Sequence, residues 1–167
     1  MRSFETVKEK LKLLWISAGI IVLDQIVKKA ISGYQEHEVI IEVEPFFQII
    51  RTQNRGAAFS LLNGRIAFLL ITTACMLVGI LLAIIRVKEI GIAGRVSLAV
   101  LLGGGAGNWL DRFAAGAVTD YIRLMFMEFP VFNIADICIT ASVAALMLLL
   151  LTGRFEIHTG ENNGTGH

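Results

Sequence analysis

The chain has 167 residues, with 15 Lys and Arg against 14 Asp and Glu, and a formal net charge of +1. That balance argues against a nucleic-acid binder, which needs a basic face. Apolar residues reach 55%, charged residues only 17%, and mean hydropathy is +0.69. A soluble domain needs less, so the composition points to a membrane protein of one domain.

The first apolar block covers about residues 13–31, behind a basic stretch with Arg2, Lys8, Lys10 and Lys12. This start imitates a signal peptide, but no small-x-small cleavage site and no Cys follow it, so it reads as a retained first span. Asp24 and Lys28 stand at i, i+4 near its end, a spacing that predicts an ion pair orienting the span. Residues 34–52 differ in character. Val39-Ile40-Ile41-Glu42-Val43 and Phe46-Phe47-Gln48-Ile49-Ile50 flank Pro45 and predict short strands on the outer membrane face. His37 in this region reads as a solvated side chain. In Asn54-Arg55-Gly56-Ala57-Ala58-Phe59, small residues beside an Asn suggest close backbone approach at a cleft.

The second block covers about residues 66–85 and the third about 96–113. Gly103 and Gly107 in the third form a GxxxG pair, which lets another helix come close. Asn108, Asp111 and Arg112 follow at i, i+3 and i+4 on one face. They suggest a buried polar network, although an Asp–Arg pair at a helix end also serves as an interfacial anchor. Asp120 lies in Ala117-Val118-Thr119-Asp120-Tyr121-Ile122. The fourth block, about residues 132–151, opens with Phe132-Asn133-Ile134-Ala135-Asp136. Asn133 suits a helix cap and Asp136 suits the positive end of the helix dipole. Cys75 and Cys138 lie in apolar blocks without a CxxC motif and read as small buried side chains. Residues 153–167 are expected to be a disordered cytoplasmic tail. His158 and His167 lack a second ligand at useful spacing, so no metal site is expected.

Each block is near the ~20 residues that carry a helix across a bilayer. Backbone hydrogen bonding in lipid permits only helices or closed barrels, and these blocks are too long and too uniformly apolar for barrel strands. Residues 1–152 are thus expected to form one integral membrane domain of four spans. Lys and Arg concentrate at the N-terminus and in the loop with Arg86, Lys88 and Arg95. Arg51, Arg55 and Arg123 are sparser on the other side. This bias predicts both termini in the cytoplasm, with Lys28 and Lys29 snorkelling at the outer end. A carboxylate in or near lipid costs several kcal/mol unless compensated, and it usually marks function. Asp120 and Asp136 therefore stand out as a candidate paired-carboxylate site at the outer face.

The motifs together resemble the bacterial lipoprotein signal peptidase (signal peptidase II) family of intramembrane aspartyl proteases. The matching pieces are Leu23-Asp24-Gln25-Ile26-Val27-Lys28, Asn54-Arg55-Gly56-Ala57-Ala58-Phe59, Gly107-Asn108-Trp109-Leu110-Asp111-Arg112, Val118-Thr119-Asp120-Tyr121-Ile122 and Phe132-Asn133-Ile134-Ala135-Asp136. They occur in the family's order and span nearly the whole chain. The resemblance implies an all-α membrane fold: a four-helix transmembrane bundle with a small extracytoplasmic β-rich cradle. It implies a catalytic pair, Asp120 and Asp136, with Asn54, Gly56, Asn108, Arg112 and Asn133 lining the substrate site. Asp24, Lys28, Asp111 and Ala135 would support it. No cofactor is implied. Expected partners are lipid-modified prolipoproteins, membrane lipids and inhibitors of the globomycin type. Two positions depart from the family's pattern: Thr119-Asp120-Tyr121 replaces Val-Asp-Phe, and Ile137 replaces Ser. A proton-coupled transporter subunit and a non-catalytic membrane assembly factor are the competing readings. The first predicts carboxylates along a path. The second predicts that losing either aspartate unfolds the protein.

Overall fold

The computed structural model describes residues 7–56, 65–86 and 91–153. Arg2, the Ala57-Ala58-Phe59 part of one motif, Lys88 and the expected tail from residue 154 onward, with His158 and His167, lie outside the described residues. The elements in chain order are helix α1 (Val7–Ile31), strands β1 (Val39–Val43) and β2 (Phe47–Asn54), helices α2 (Ile66–Arg86) and α3 (Ile92–Ala115), strand β3 (Val118–Leu124) and helix α4 (Ile134–Leu151).

Helix α3 is the central element, packed against α1, α2 and α4. Its small residues explain why. A Cβ on Gly103 would meet the Ser17 carbonyl oxygen at 2.9 Å, and one on Gly104 would meet the Ala135 carbonyl oxygen at 2.7 Å. Glycine thus lets α1 and α4 approach α3 from two sides. The GxxxG pair of the sequence faces α1, and Gly104 between them faces α4. Polar bonds fix the register of these contacts. Ser17 Oγ donates to the Ala99 carbonyl at 2.7 Å, and Trp109 Nε1 donates to the Leu70 carbonyl at 3.0 Å.

Helices α2 and α4 are long and apolar enough to cross a membrane, and both leave large apolar side chains exposed, among them Phe68, Ile71, Met76, Met147 and Leu148. Helices α1 and α3 also bury charged and polar groups, including Asp24, Lys28 and Asn108, which dilutes their apolar signal.

The strands form one antiparallel sheet in the order β1-β2-β3. Only its first two strands, within residues 34–52, were expected; β2 runs on to Asn54, and the third strand comes from the connection between α3 and α4. The expected helical fold with a small β-rich part is therefore seen as four helices with one three-stranded sheet, one strand more than expected. Val118, Thr119, Asp120 and Tyr121 are all buried, so β3 lacks the in-out alternation by which a half-exposed strand is recognised. The pairing places Asp120 opposite Thr52, and Asn54 opposite Val118.

Candidate active site

Four elements converge where the sheet meets the helix ends. Strand β2 ends in Asn54, β3 carries Asp120, α3 contributes Asn108, Asp111 and Arg112, and α4 begins beside Asn133 and Asp136. Asn133 is the N-cap of α4. Its side-chain oxygen accepts from Asp136 N at 2.9 Å, and Asp136 Oδ2 accepts from Asn133 N at 3.1 Å. This reciprocal box satisfies two orphan helix donors. It also leaves the Asn133 amide NH2 free. That group donates to Asp120 Oδ1 at 2.6 Å and to Asn108 Oδ1 at 3.1 Å. Asn133 thereby touches both carboxylates: one through its cap, the other through its amide.

Each carboxylate has a further asparagine donor. Asn54 Nδ2 donates to Asp120 Oδ2 at 2.9 Å, and Asn108 Nδ2 donates to Asp136 Oδ1 at 2.8 Å. Asn54 is itself held by Gly56 N, which donates to its Oδ1 at 3.0 Å. Arg112 spans to the same turn, donating to the Gly56 carbonyl at 2.9 Å. The Asn54–Gly56 stretch is thus a cross-linked corner between the sheet and α3.

Burial pushes the Asp120 carboxyl up to about 6, and the negative charge of Asp136 adds to that rise. The hydrogen bonds from Asn54 and Asn133 and the charge of Lys28 pull against it. A carboxyl so raised keeps its proton to a pH about two units higher than an ordinary Asp does. Burial also pushes the Tyr121 phenol up to about 12. Its hydroxyl accepts from Ile134 N at 3.2 Å. The extra oxygen that separates Tyr121 from the family's Phe therefore serves another orphan donor of α4.

A cleft of about 630 Å³ opens beside the two acids. Asn54, Asn108, Arg112, Asp120 and Asp136 form its polar end; Phe132, Ile137, Thr140, Ala141 and Ala144 line its apolar wall. The last four sit at i, i+3, i+4 and i+7 on α4, one face of a helix. That periodicity was the available sequence signal for the wall. Ile137, the second departure from the family pattern, is 47% exposed and belongs to this wall. A wider hollow of about 940 Å³ lies within the single stretch 123–130 and includes neither acid.

The remaining predicted residues gather behind the cleft. Lys28 Nζ lies 2.8 Å from Asp24 Oδ2 and 3.0 Å from Asp111 Oδ2, and it donates to Asn108 Oδ1 at 2.8 Å. The expected Asp24–Lys28 pair is therefore half of a bridge between α1 and α3. Gln25 was not singled out, yet its Nε2 donates to Asp111 Oδ1 at 2.8 Å. Thr119 N donates to Asp111 Oδ2 at 3.2 Å, tying the bridge to β3. Asn108, Asp111 and Arg112 do share one helical neighbourhood but divide their work: Asp111 turns to α1, Arg112 to Gly56, and Asn108 joins the two. Ala135 is fully buried, with its carbonyl oxygen against Gly104.

The chain also matches known proteins along most of its length. Residues 16–152 match the family model described as signal peptidase (SPase) II. A lipoprotein signal peptidase of Brevibacillus brevis is 37% identical over 134 residues, covering 80% of this chain and 90% of that protein. One of Dehalococcoides mccartyi is 38% identical over 150 residues, covering 85% and 91%. A solved bacterial membrane enzyme superposes with a TM-score of 0.82 at 25% identity, covering 100% of this chain and 98% of the other. A second gives 0.76 at 29% identity, covering 84% and 92%. With the match running through every element that builds the cleft, the chain belongs to the signal peptidase II family of membrane proteases.

Proposed function

We propose that Asp120 and Asp136 are the catalytic dyad of an intramembrane aspartyl endopeptidase, and that its substrates are prolipoproteins carrying diacylglycerol on the Cys after the signal peptide. The observation that carries the reading is the pair of carboxylates meeting on Asn133 at the polar end of a cleft whose other wall is apolar. Like charges so placed resist double ionisation and share a proton. The dyad acts as a coupled unit, so its titration belongs to the pair.

In the reaction the ionised acid takes a proton from a water in the cleft. The water oxygen bonds to the scissile carbonyl carbon, and the protonated acid supports the developing oxyanion. Collapse breaks the C–N bond, and the proton passes to the leaving amine. Asn54, Asn108 and Asn133 hold the acids, Arg112 faces the substrate chain, and Gly56 serves the substrate site by holding Asn54 and Arg112 in place. The apolar wall along α4 suits a lipid chain, and cleavage falls just before the lipidated Cys.

Four membrane spans, both termini in the cytoplasm and a cleft at the extracytoplasmic face complete the proposal. The basic residues of the short loops support this orientation. The outer face gives the dyad water while the substrate's acyl chains stay in lipid. Globomycin-type peptide inhibitors should compete for the same cleft. Family membership and the clustering of the acids at one place leave the transporter and assembly-factor readings without support.

The test is cleavage by the purified full-length chain, offered a diacylated and an unmodified precursor without any gradient. The parent cleaves the diacylated form preferentially. Asp120→Asn and Asp136→Asn each lower the rate by about 10³-fold or more, as expected for members of one acid–base unit. Near-parental cleavage by either variant refutes the dyad.

A further inference from the structure

Lys28 lies outside the cleft lining and is 4% exposed, yet only one residue, Asn108, stands between it and the dyad. An ammonium has three N–H donors and no acceptor. Three oxygens meet it: Asp24 Oδ2 at 2.8 Å, Asp111 Oδ2 at 3.0 Å and Asn108 Oδ1 at 2.8 Å. A donor-only neighbour decides the direction of an amide. With Lys28 on one side and the Asn133 NH2 at 3.1 Å, the carboxamide of Asn108 must turn its oxygen inward. Its NH2 is then left for Asp136 Oδ1 at 2.8 Å. The flipped amide would set NH2 against ammonium and amide donors, and oxygen against a carboxylate. The other two asparagines are fixed in the same way by backbone donors: Asn54 by Gly56 N and Asn133 by Asp136 N. Only Asn108 depends on a side chain for this.

We infer that Lys28 is a positioning residue for the dyad, acting through Asn108 by holding that amide with its NH2 toward Asp136. The inference rests on the dyad reading above and goes beyond the role of an α1–α3 cross-link. It separates the tasks of the ammonium's three partners. Asp24 and Asp111 anchor and neutralise Lys28; Asn108 passes its orientation on. The charged and titratable groups around the dyad are Lys28 and Asp24 from α1, Asp111 and Arg112 from α3, and Tyr121 beside Asp120 on β3. Of these, Lys28 is the cation bonded to an amide that itself donates to the dyad.

The experiment is a double-mutant cycle on the full-length enzyme with diacylated precursor: parent, Lys28→Met, Asn108→Ala and the double variant. Lys28→Met should lower kcat about tenfold to hundredfold, the scale for losing a partner that orients a reactive group, with KM within about threefold because Lys28 does not line the cleft. The alkaline limb of the kcat profile should move to higher pH. Removing a donor and a nearby positive charge disfavours the doubly ionised dyad, so the shared proton is retained longer. The double variant should fall no more than about threefold below Asn108→Ala, since both changes break one connection. A larger fall, or an unmoved alkaline limb, overturns the inference and reduces Lys28 to a packing element. Should Lys28→Met fail to fold, Asp24→Asn/Lys28→Met keeps the net charge of the cluster and replaces it in the cycle. Near-parental activity of Asp136→Asn sinks the dyad reading itself. An inactive Asp136→Asn beside multiplying Lys28 and Asn108 losses sinks only this inference.

Discussion

The two faces of α3 near its C-terminal end hold similar chemistry and use it differently. Toward α1, Asp24, Gln25, Lys28 and Asp111 bond to one another at 2.8–3.4 Å. Gly107 seals the contact, because a Cβ there would stand 2.5 Å from Asp24 Oδ2. Toward the sheet and α4, Asp120 and Asp136 are also hydrogen-bonded, but the cleft lies beside them. The first face closes its charges on each other, so that removing one partner would leave another buried and uncompensated. The second sets like charges side by side and opens onto a cleft. An arrangement that costs folding energy and leaves room for a ligand is the one expected to do chemistry.

The sharpest way to break the comparison is to remove a charge or fill the seal on each face in turn. On the cleft side, Asp120→Asn should cost about 10³-fold or more in activity and yet raise stability near neutral pH. The folded protein lifts this carboxyl from 3.8 to about 6, so the fold favours the protonated form. That contribution is fully present below about pH 4 and is lost as pH rises through about 6. Asparagine removes the ionisation cost of up to about 3 kcal/mol, less whatever its NH2 forfeits against the Asn54 and Asn133 donors. Thermal unfolding in detergent should show the variant ahead at pH 7.5 and the lead gone at pH 4. A variant less stable at both values would place Asp120 among the structural charges. On the closed side, Gly107→Ala should cost about 1–3 kcal/mol through overpacking and lower activity with it. Equal stability of Gly107→Ala and parent would show that the α1–α3 seal is loose.

Much of this contrast was legible beforehand, and the exceptions have physical causes. Gly103 and Gly107 announce a close helix partner by their spacing, and Asn133 announces a cap by its place before an apolar run. Asp24 and Lys28 sit at ion-pair spacing. But the second and third partners of Lys28, Asp111 and Asn108, are 83 and 80 residues away in sequence, and only the packing of α1 on α3 unites them. Gln25 carries no periodic or charge signal, so its bond to Asp111 appears only in three dimensions. Strand β3 stayed hidden because its first four side chains are all buried. The sequence alone places Asp120 only after the third apolar block, whereas strand pairing fixes its backbone beside Thr52.

A smaller effect sharpens the cleft side alone. Asn54→Ala deletes the donor to Asp120 Oδ2 and leaves the Asn133 donor on Oδ1 in place. A hydrogen bond to a charged group contributes about 1.5–3 kcal/mol, so kcat should fall roughly tenfold to hundredfold. The sign of the pH effect follows from what the bond does. It favours the ionised carboxylate and holds the Asp120 carboxyl below where burial alone would put it. Without it the proton is kept to higher pH, and the alkaline limb of activity moves up. A limb that moves down would mean that Asn54 acts on the substrate and not on the acid.

The smallest expected change tests whether the apolar wall has a say in the chemistry. Ile137 follows Asp136 directly, lines the cleft and is 47% exposed, while the resemblance places Ser there. Ile137→Ser removes apolar area from the wall but leaves both carboxylates and all three asparagine donors untouched. Because the side chain is half exposed, the loss in stability should stay within about 1 kcal/mol. If the wall only receives a lipid chain, KM for the diacylated precursor should rise about threefold, kcat should hold, and the pH profile should not move. A shifted pH profile would show that the position reaches the dyad, as a hydroxyl near Asp136 could through a hydrogen bond. It would then count the isoleucine of this chain as a change in the acid's own surroundings.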